Sequence, residues 1–161
     1  MGNVGTLSGH TDWVGALEWS PDSRRLATSS GDCTVRLWDA DRREIVAVLA
    51  GHESATWAVS WSPDGKRVVT ASRDRTARIW DADPGKEVSV LCVHDDGVAA
   101  VDWSPDGRRI ATASRDRTGR VWNAWASIEV VVAKARERLH RELTQEERQR
   151  FTLPLRSRTA Q

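Results

Sequence analysis

The chain has 161 residues, room for one ordinary hydrophobic core, and a formal net charge of +1, which supplies no whole-molecule field to draw in nucleic acid or an anionic membrane. No run approaches the roughly 18 apolar residues of a membrane span, and Met1-Gly2-Asn3-Val4-Gly5 lacks the basic-then-apolar pattern of an export signal. A soluble cytoplasmic protein without a membrane partner is expected.

Taken in order, the chain writes one unit three times. His10, His52 and His94 are 42 residues apart, as are Thr28, Thr70 and Thr112, and Trp38, Trp80 and Trp122. A fixed period near this length means stacked repeats. Val4 to Leu7 lies one period upstream of Val46 to Leu49, so the chain opens on an orphan outer strand over residues 4–7. Val14 to Trp19 then alternates as a first strand, and Ser20-Pro21-Asp22-Ser23 turns the chain, with Pro presetting φ and Asp bonding back to its own backbone. The equivalent turns at Ser62 and Ser104 end in Gly65 and Gly107, so Ser23 costs the first unit a little at a position that suits glycine. A hairpin around Gly31-Asp32 and an outer strand over residues 45–50 complete the unit. Four short strands separated by turn signals, at so regular a period, predict propeller blades over about 14–50, 56–92 and 98–123.

After Trp122-Asn123 the repeat stops and the charge changes: residues 1–126 carry net −2 and residues 127–161 net +3. Ile128, Val131, Val132, Ala135, Leu139 and Leu143 recur at helical spacing, and Thr144 to Glu147 reads as a capping box. A helical tail over 127–161 is therefore expected. A competing reading stays open, because Val130 and Val132 lie one period after Val88 and Val90, which would make residues 129–133 the outer strand of the third blade.

With its Gly-His corner, Ser-Pro-Asp-Gly turn and Trp-Asp ending, Gly51 to Asp81 resembles the WD40 repeat family, and the match extends over residues 4–123. The resemblance implies an all-β fold, a partial propeller of three four-stranded blades, here with a C-terminal α-helical extension. The run from Ala135 to Pro154 also resembles the tail of bacterial multi-domain WD40 proteins attached to STAND ATPases or kinases. In the family, an initial orphan strand closes the ring against the last blade.

Each copy holds a His, a Thr, an Asp and a Trp: His10, Thr28, Asp32 and Trp38; His52, Thr70, Asp74 and Trp80; His94, Thr112, Asp116 and Trp122. A His, a hydroxyl and a carboxylate invite comparison with a nucleophile triad. Catalysis needs such a set once, however, and this one occurs three times. The resemblance implies instead a structural hydrogen-bond relay inside each blade, consistent with the rule that buried polar groups need partners. Ser30, Ser72 and Ser114 are the alternative hydroxyls. Cys33 and Cys92 fall at non-equivalent points of the repeat, and Cys92 with His94 lacks a second ligand pair, so neither a disulfide framework nor a metal site is expected. The absence of a Gly-rich phosphate loop leaves nucleotide without support, and no cofactor is expected.

In the family, the corners before the first strand and the Asp turns emerge at the mouth of the propeller. By alignment these positions hold Trp13, Ala55 and Gly97; Gly15, Trp57 and Ala99; and Gly31, Arg73 and Arg115. Trp and Arg dominate interface energetics, so Trp13, Trp57, Arg73 and Arg115 are the candidate partner-binding residues. The function expected is a non-catalytic protein-protein interaction scaffold belonging to, or descended from, a larger bacterial signalling protein. The alternatives are nucleic-acid binding through the Arg and Trp residues of the mouth, which the negative repeat region disfavours, and an enzyme or a non-functional gene fragment. Three blades cannot close a ring, which leaves two or three chains closing one together, a tail covering one face, or a fragment of a longer propeller.

Overall fold

In a computed structural model, the chain divides into a unit comprising residues 1–125 and a second comprising 126–161. The structure describes Gly2 and residues 5–92 and 94–124. The helical tail at 127–161, with the strand-or-helix question at 129–133, lies outside the described residues.

The described residues form eleven strands. The first sheet contains β1 (Val14–Trp19), β2 (Arg25–Ser30), β3 (Thr34–Asp39) and β4 (Glu44–Ala50); the second contains β5 (Thr56–Trp61), β6 (Arg67–Ser72), β7 (Thr76–Asp81) and β8 (Glu87–Cys92). The third contains β9 (Val98–Trp103), β10 (Arg109–Ser114) and β11 (Gly119–Asn123). In every sheet, strands adjacent in sequence pair antiparallel, giving a simple meander.

Two expected strands fall wholly or partly outside the described residues. The third sheet has three strands among the described residues, and the place of its expected outer strand, one period after β8, lies outside them. Residues 5–7 of the expected orphan strand are irregular, and Val4 lies outside the described residues. A lone strand is ordered by a neighbouring edge, which alternation in the sequence does not supply.

The turns follow their residues. Ser20, Ser62 and Ser104 each donate a hydroxyl hydrogen bond to the Asp two positions on, at 2.6, 2.6 and 2.5 Å. The last turn residue is left-handed in all three, with φ of 59° at Ser23 and 67° at Gly65 and Gly107, so Ser23 holds a backbone conformation that glycine adopts without strain.

The core lies between sheets rather than within one. Alternate residues of β6 face opposite ways: Val68 packs with Val59 and Trp61 against Ala27, Val35 and Leu37 of the first sheet. Val69 packs with Ala71 and Ile79 against Val101, Trp103 and Ile110 of the third. A two-residue side-chain period with both faces covered is what makes these strands apolar on both sides.

Candidate functional site

Each blade brings its four signature side chains into one chain of hydrogen bonds. In blade two, Trp80 Nε1 donates to Thr70 Oγ1 at 2.9 Å, Thr70 Oγ1 lies 2.7 Å from His52 Nε2, and His52 Nδ1 lies 2.8 Å from Asp74 Oδ2. Blade one gives 2.8, 2.9 and 2.8 Å for Trp38–Thr28, Thr28–His10 and His10–Asp32. Blade three gives 2.9, 2.8 and 2.7 Å for Trp122–Thr112, Thr112–His94 and His94–Asp116. All groups are satisfied when Nδ1 carries the ring proton: indole donates to hydroxyl, hydroxyl to Nε2, and Nδ1–H to carboxylate. The Thr hydroxyl, in a nucleophile's place, is held by the indole on one side and the ring on the other.

The carboxylate end anchors the loop. Asp74 also accepts hydrogen bonds from the backbone N–H of Glu53 and Thr76 and from the Thr76 hydroxyl, the last at 2.6 Å. Ser30, Ser72 and Ser114, the alternative hydroxyls, do not join the relay. Ser72 Oγ instead donates to the carbonyl groups of Ser54 and Ala55, and Ser114 does the same to Asp96 and Gly97, while Ser30 reaches the carbonyl of Asp12. These serines tie the Asp hairpin to the corner that carries the His.

Burial pushes the Asp32, Asp74 and Asp116 carboxyls upward, but hydrogen bonds from the neighbouring His, Thr and backbone N–H groups outweigh it and hold all three well below the usual carboxylate range. A folded-state pKa lowered in this way contributes stability that is fully present above the unfolded value of about 4 and is lost as pH falls toward the folded one. Urea melts should therefore show a falling unfolding free energy between about pH 4 and pH 2. Asp74→Asn should shrink that fall, and an unchanged acid limb in the variant would contradict the assignment.

The candidate partner-binding residues separate into two groups. The first strand of each blade carries a register shift, between Val14 and Ala16, Thr56 and Ala58, and opposite Ala113 and Ser114. The residues skipped are Gly15, Trp57 and Ala99. A bulge re-aims its side chain, and Trp57 crosses to blade three, where a methyl group added at Gly97 would come within 2.8 Å of its Cζ3 and 3.2 Å of Arg73 Cα. The Arg115 guanidinium carbon sits 4.4 Å from the centre of the Trp57 ring. Trp57, Arg73 and Arg115 are thus brought together across the junction of blades two and three. Trp13 stays on blade one, where its ring covers Gly15 and Gly31, and remains half-exposed.

One structural pair escaped the sequence reading: Glu18 accepts the Trp61 N–H at 2.7 Å, and the Trp61 indole donates to the Glu18 carbonyl at 3.2 Å. Burial raises the Glu18 pKa, against the lowering effect of its hydrogen bonds. The signal was an acid among the alternating residues of β1, matched by Asp102 but not by Ser60. Among the described residues no cluster of His, Cys, Asp and Glu is arranged to hold a metal ion, and no helix is long and apolar enough to cross a membrane.

Repeated antiparallel blades, two of them four-stranded and the third three-stranded among the described residues, each with its own Trp-Thr-His-Asp relay, define a protein of the β-propeller class. Three consecutive matches to the family described as WD domain, G-beta repeat, span residues 1–39, 43–81 and 85–123, and the chain belongs to that family. The chain is 50% identical over 40 residues to a probable E3 ubiquitin ligase complex SCF subunit sconB of Aspergillus terreus, a match covering 25% of this chain and 6% of that protein. It is 53% identical over 34 residues to a Notchless protein homolog of Arabidopsis thaliana, covering 21% of this chain and 7% of that one. The matches therefore span only a small part of these relatives. A solved structure titled "Structure of U3-55K" superposes with a TM-score of 0.70 at 24% identity, covering 73% of this chain and 38% of that chain, and shows the shared fold. These relatives are fungal and plant proteins, and the expected tie to bacterial STAND ATPases or kinases finds no support in them.

Proposed function

We propose that the chain is a non-catalytic protein-protein interaction scaffold that holds its partner through the Trp57, Arg73 and Arg115 cluster, with Trp13 as an outlying contact. The observation that carries this reading is the Arg115–Trp57 stack: an Arg and a Trp that the repeat pattern does not require meet across two blades. Such side chains concentrate binding energy because they bring large area and several donors at little conformational cost. The three His-Thr-Asp sets support a non-catalytic role, since each hydroxyl is engaged on both sides within its own blade. The names of the curated relatives place one in a ligase complex, which accords with a scaffold. A cytoplasmic setting belongs to this reading, as does membership of, or descent from, a larger signalling protein.

Capture by the immobilised full chain, quantified against Trp57→Ala and Arg115→Ala, tests the proposal. Proteins retained by the wild type should fall roughly tenfold or more with either variant, with the thermal midpoint of Arg115→Ala unchanged. Equal retention by all three chains would end it. The runner-up, nucleic-acid binding at the same residues, predicts instead retention of single-stranded oligonucleotides that weakens steeply with salt.

A further inference from the structure

Both junctions between blades are built from the same two half-surfaces. The trailing face of blade one presents Ala27, Val35 and Leu37 to the leading face of blade two, which answers with Val59, Trp61 and Val68. The next junction repeats this one period later. Polar contacts reinforce the first: Glu18 takes the Trp61 N–H, while Arg25 donates to the Gly65 carbonyl at 2.8 Å and its guanidinium lies 4.8 Å from the centre of a Trp61 ring.

Each half-surface occurs once more, with no described residue packed against it. On the trailing face of blade three, Ala111, Ala113 and Val121 are exposed, Val121 at 68%, whereas its counterparts Leu37 and Ile79 are at 0% and 4%. On the leading face of blade one, Leu17 and Trp19 are 62% and 53% exposed, whereas Val59 and Trp61 are at 7% and 4%. Apolar faces of this kind seldom stay in water. These two are complementary by descent: the surface that Leu17 and Trp19 require is the surface that blade three offers. The polar partners are also present. Asp102 stands where Glu18 does, to meet the Trp19 N–H, and Arg109 stands where Arg25 does, to reach the Ser23 carbonyl and the Trp19 ring.

We propose that a second copy of this chain covers both faces. Blade three of one copy packs on blade one of the other, and the return contact closes a ring of two chains. Such a contact is heterologous, and heterologous contacts form rings when the rotation closes. Two chains give six blades, within the usual range of about four to eight, and three would give nine, outside it.

Light scattering of the full chain on a sizing column, with two variants, tests this. Leu17→Lys and Val121→Lys each place a charge on an exposed position, so each chain keeps its own fold, which circular dichroism checks, but a buried charge blocks one half of the junction. The wild type should have the mass of two chains and each variant that of one. An equal mixture of the variants should return to two chains, because the intact trailing face of Leu17→Lys meets the intact leading face of Val121→Lys. A wild type that stays single at every concentration, a variant that still pairs, or a mixture that stays single overturns the proposal.

Discussion

Trp61→Ala lowers the unfolding free energy by about 3–5 kcal/mol, and Trp19→Ala, the same residue at the same repeat position, by less than about 1 kcal/mol in the single chain. The indole of Trp61 is buried between blades one and two, packed on Ala27 and Leu37 and capped by Arg25. Truncating it removes that area from the junction and leaves a cavity between sheets that cannot easily collapse, since each sheet is held by its own ladders. Trp19 lies on the uncovered leading face, so its truncation removes little that is out of water. Urea denaturation of both variants at low protein concentration measures the difference. Equal losses would mean that blade one is covered in the single chain, and would remove the basis for assembly with it.

Thr70→Val is expected to cost about 2–4 kcal/mol despite nearly conserving volume, because two buried groups, Trp80 Nε1–H and His52 Nε2, lose their partner at once. Thr70, Trp80 and His52 are all buried, which leaves the orphaned groups little access to water. Thr112→Val should cost roughly half as much, since Trp122 is only partly buried and solvent takes up part of the deficit. Chemical denaturation of the two variants, with the native circular dichroism spectrum as control, gives both numbers. A loss under about 1 kcal/mol at Thr70 would show that the relay contributes little to stability.

Much of the fold was legible in the chain itself, and the twelve relay residues were legible there as a repeat, while their pairing was implied only by the resemblance to the family. The 42-residue period of His, Thr, Asp and Trp locates the blades because local alternation, turn chemistry and the demand that buried polar groups pair act within one repeat, and each copy supplies its whole set. The same locality shows why Ser23 is costly: φ is positive there whatever lies beyond the turn. Trp57 was legible as a residue the repeat does not need, but its direction was not. A bulge between Thr56 and Ala58 turns it onto Gly97 and under Arg115, and a bulge exists only once two strands are paired. Trp13, grouped with it by residue type, folds back over its own blade because Gly15 and Gly31 leave room there. The tertiary structure alone also separates Trp19 from Trp61 and Val121 from Ile79, residues at matching positions of the repeat. Periodicity assigns every copy the same two apolar faces, whereas burial depends on whether another blade stands against them. That neighbour is a property of the assembled arc and not of any single repeat.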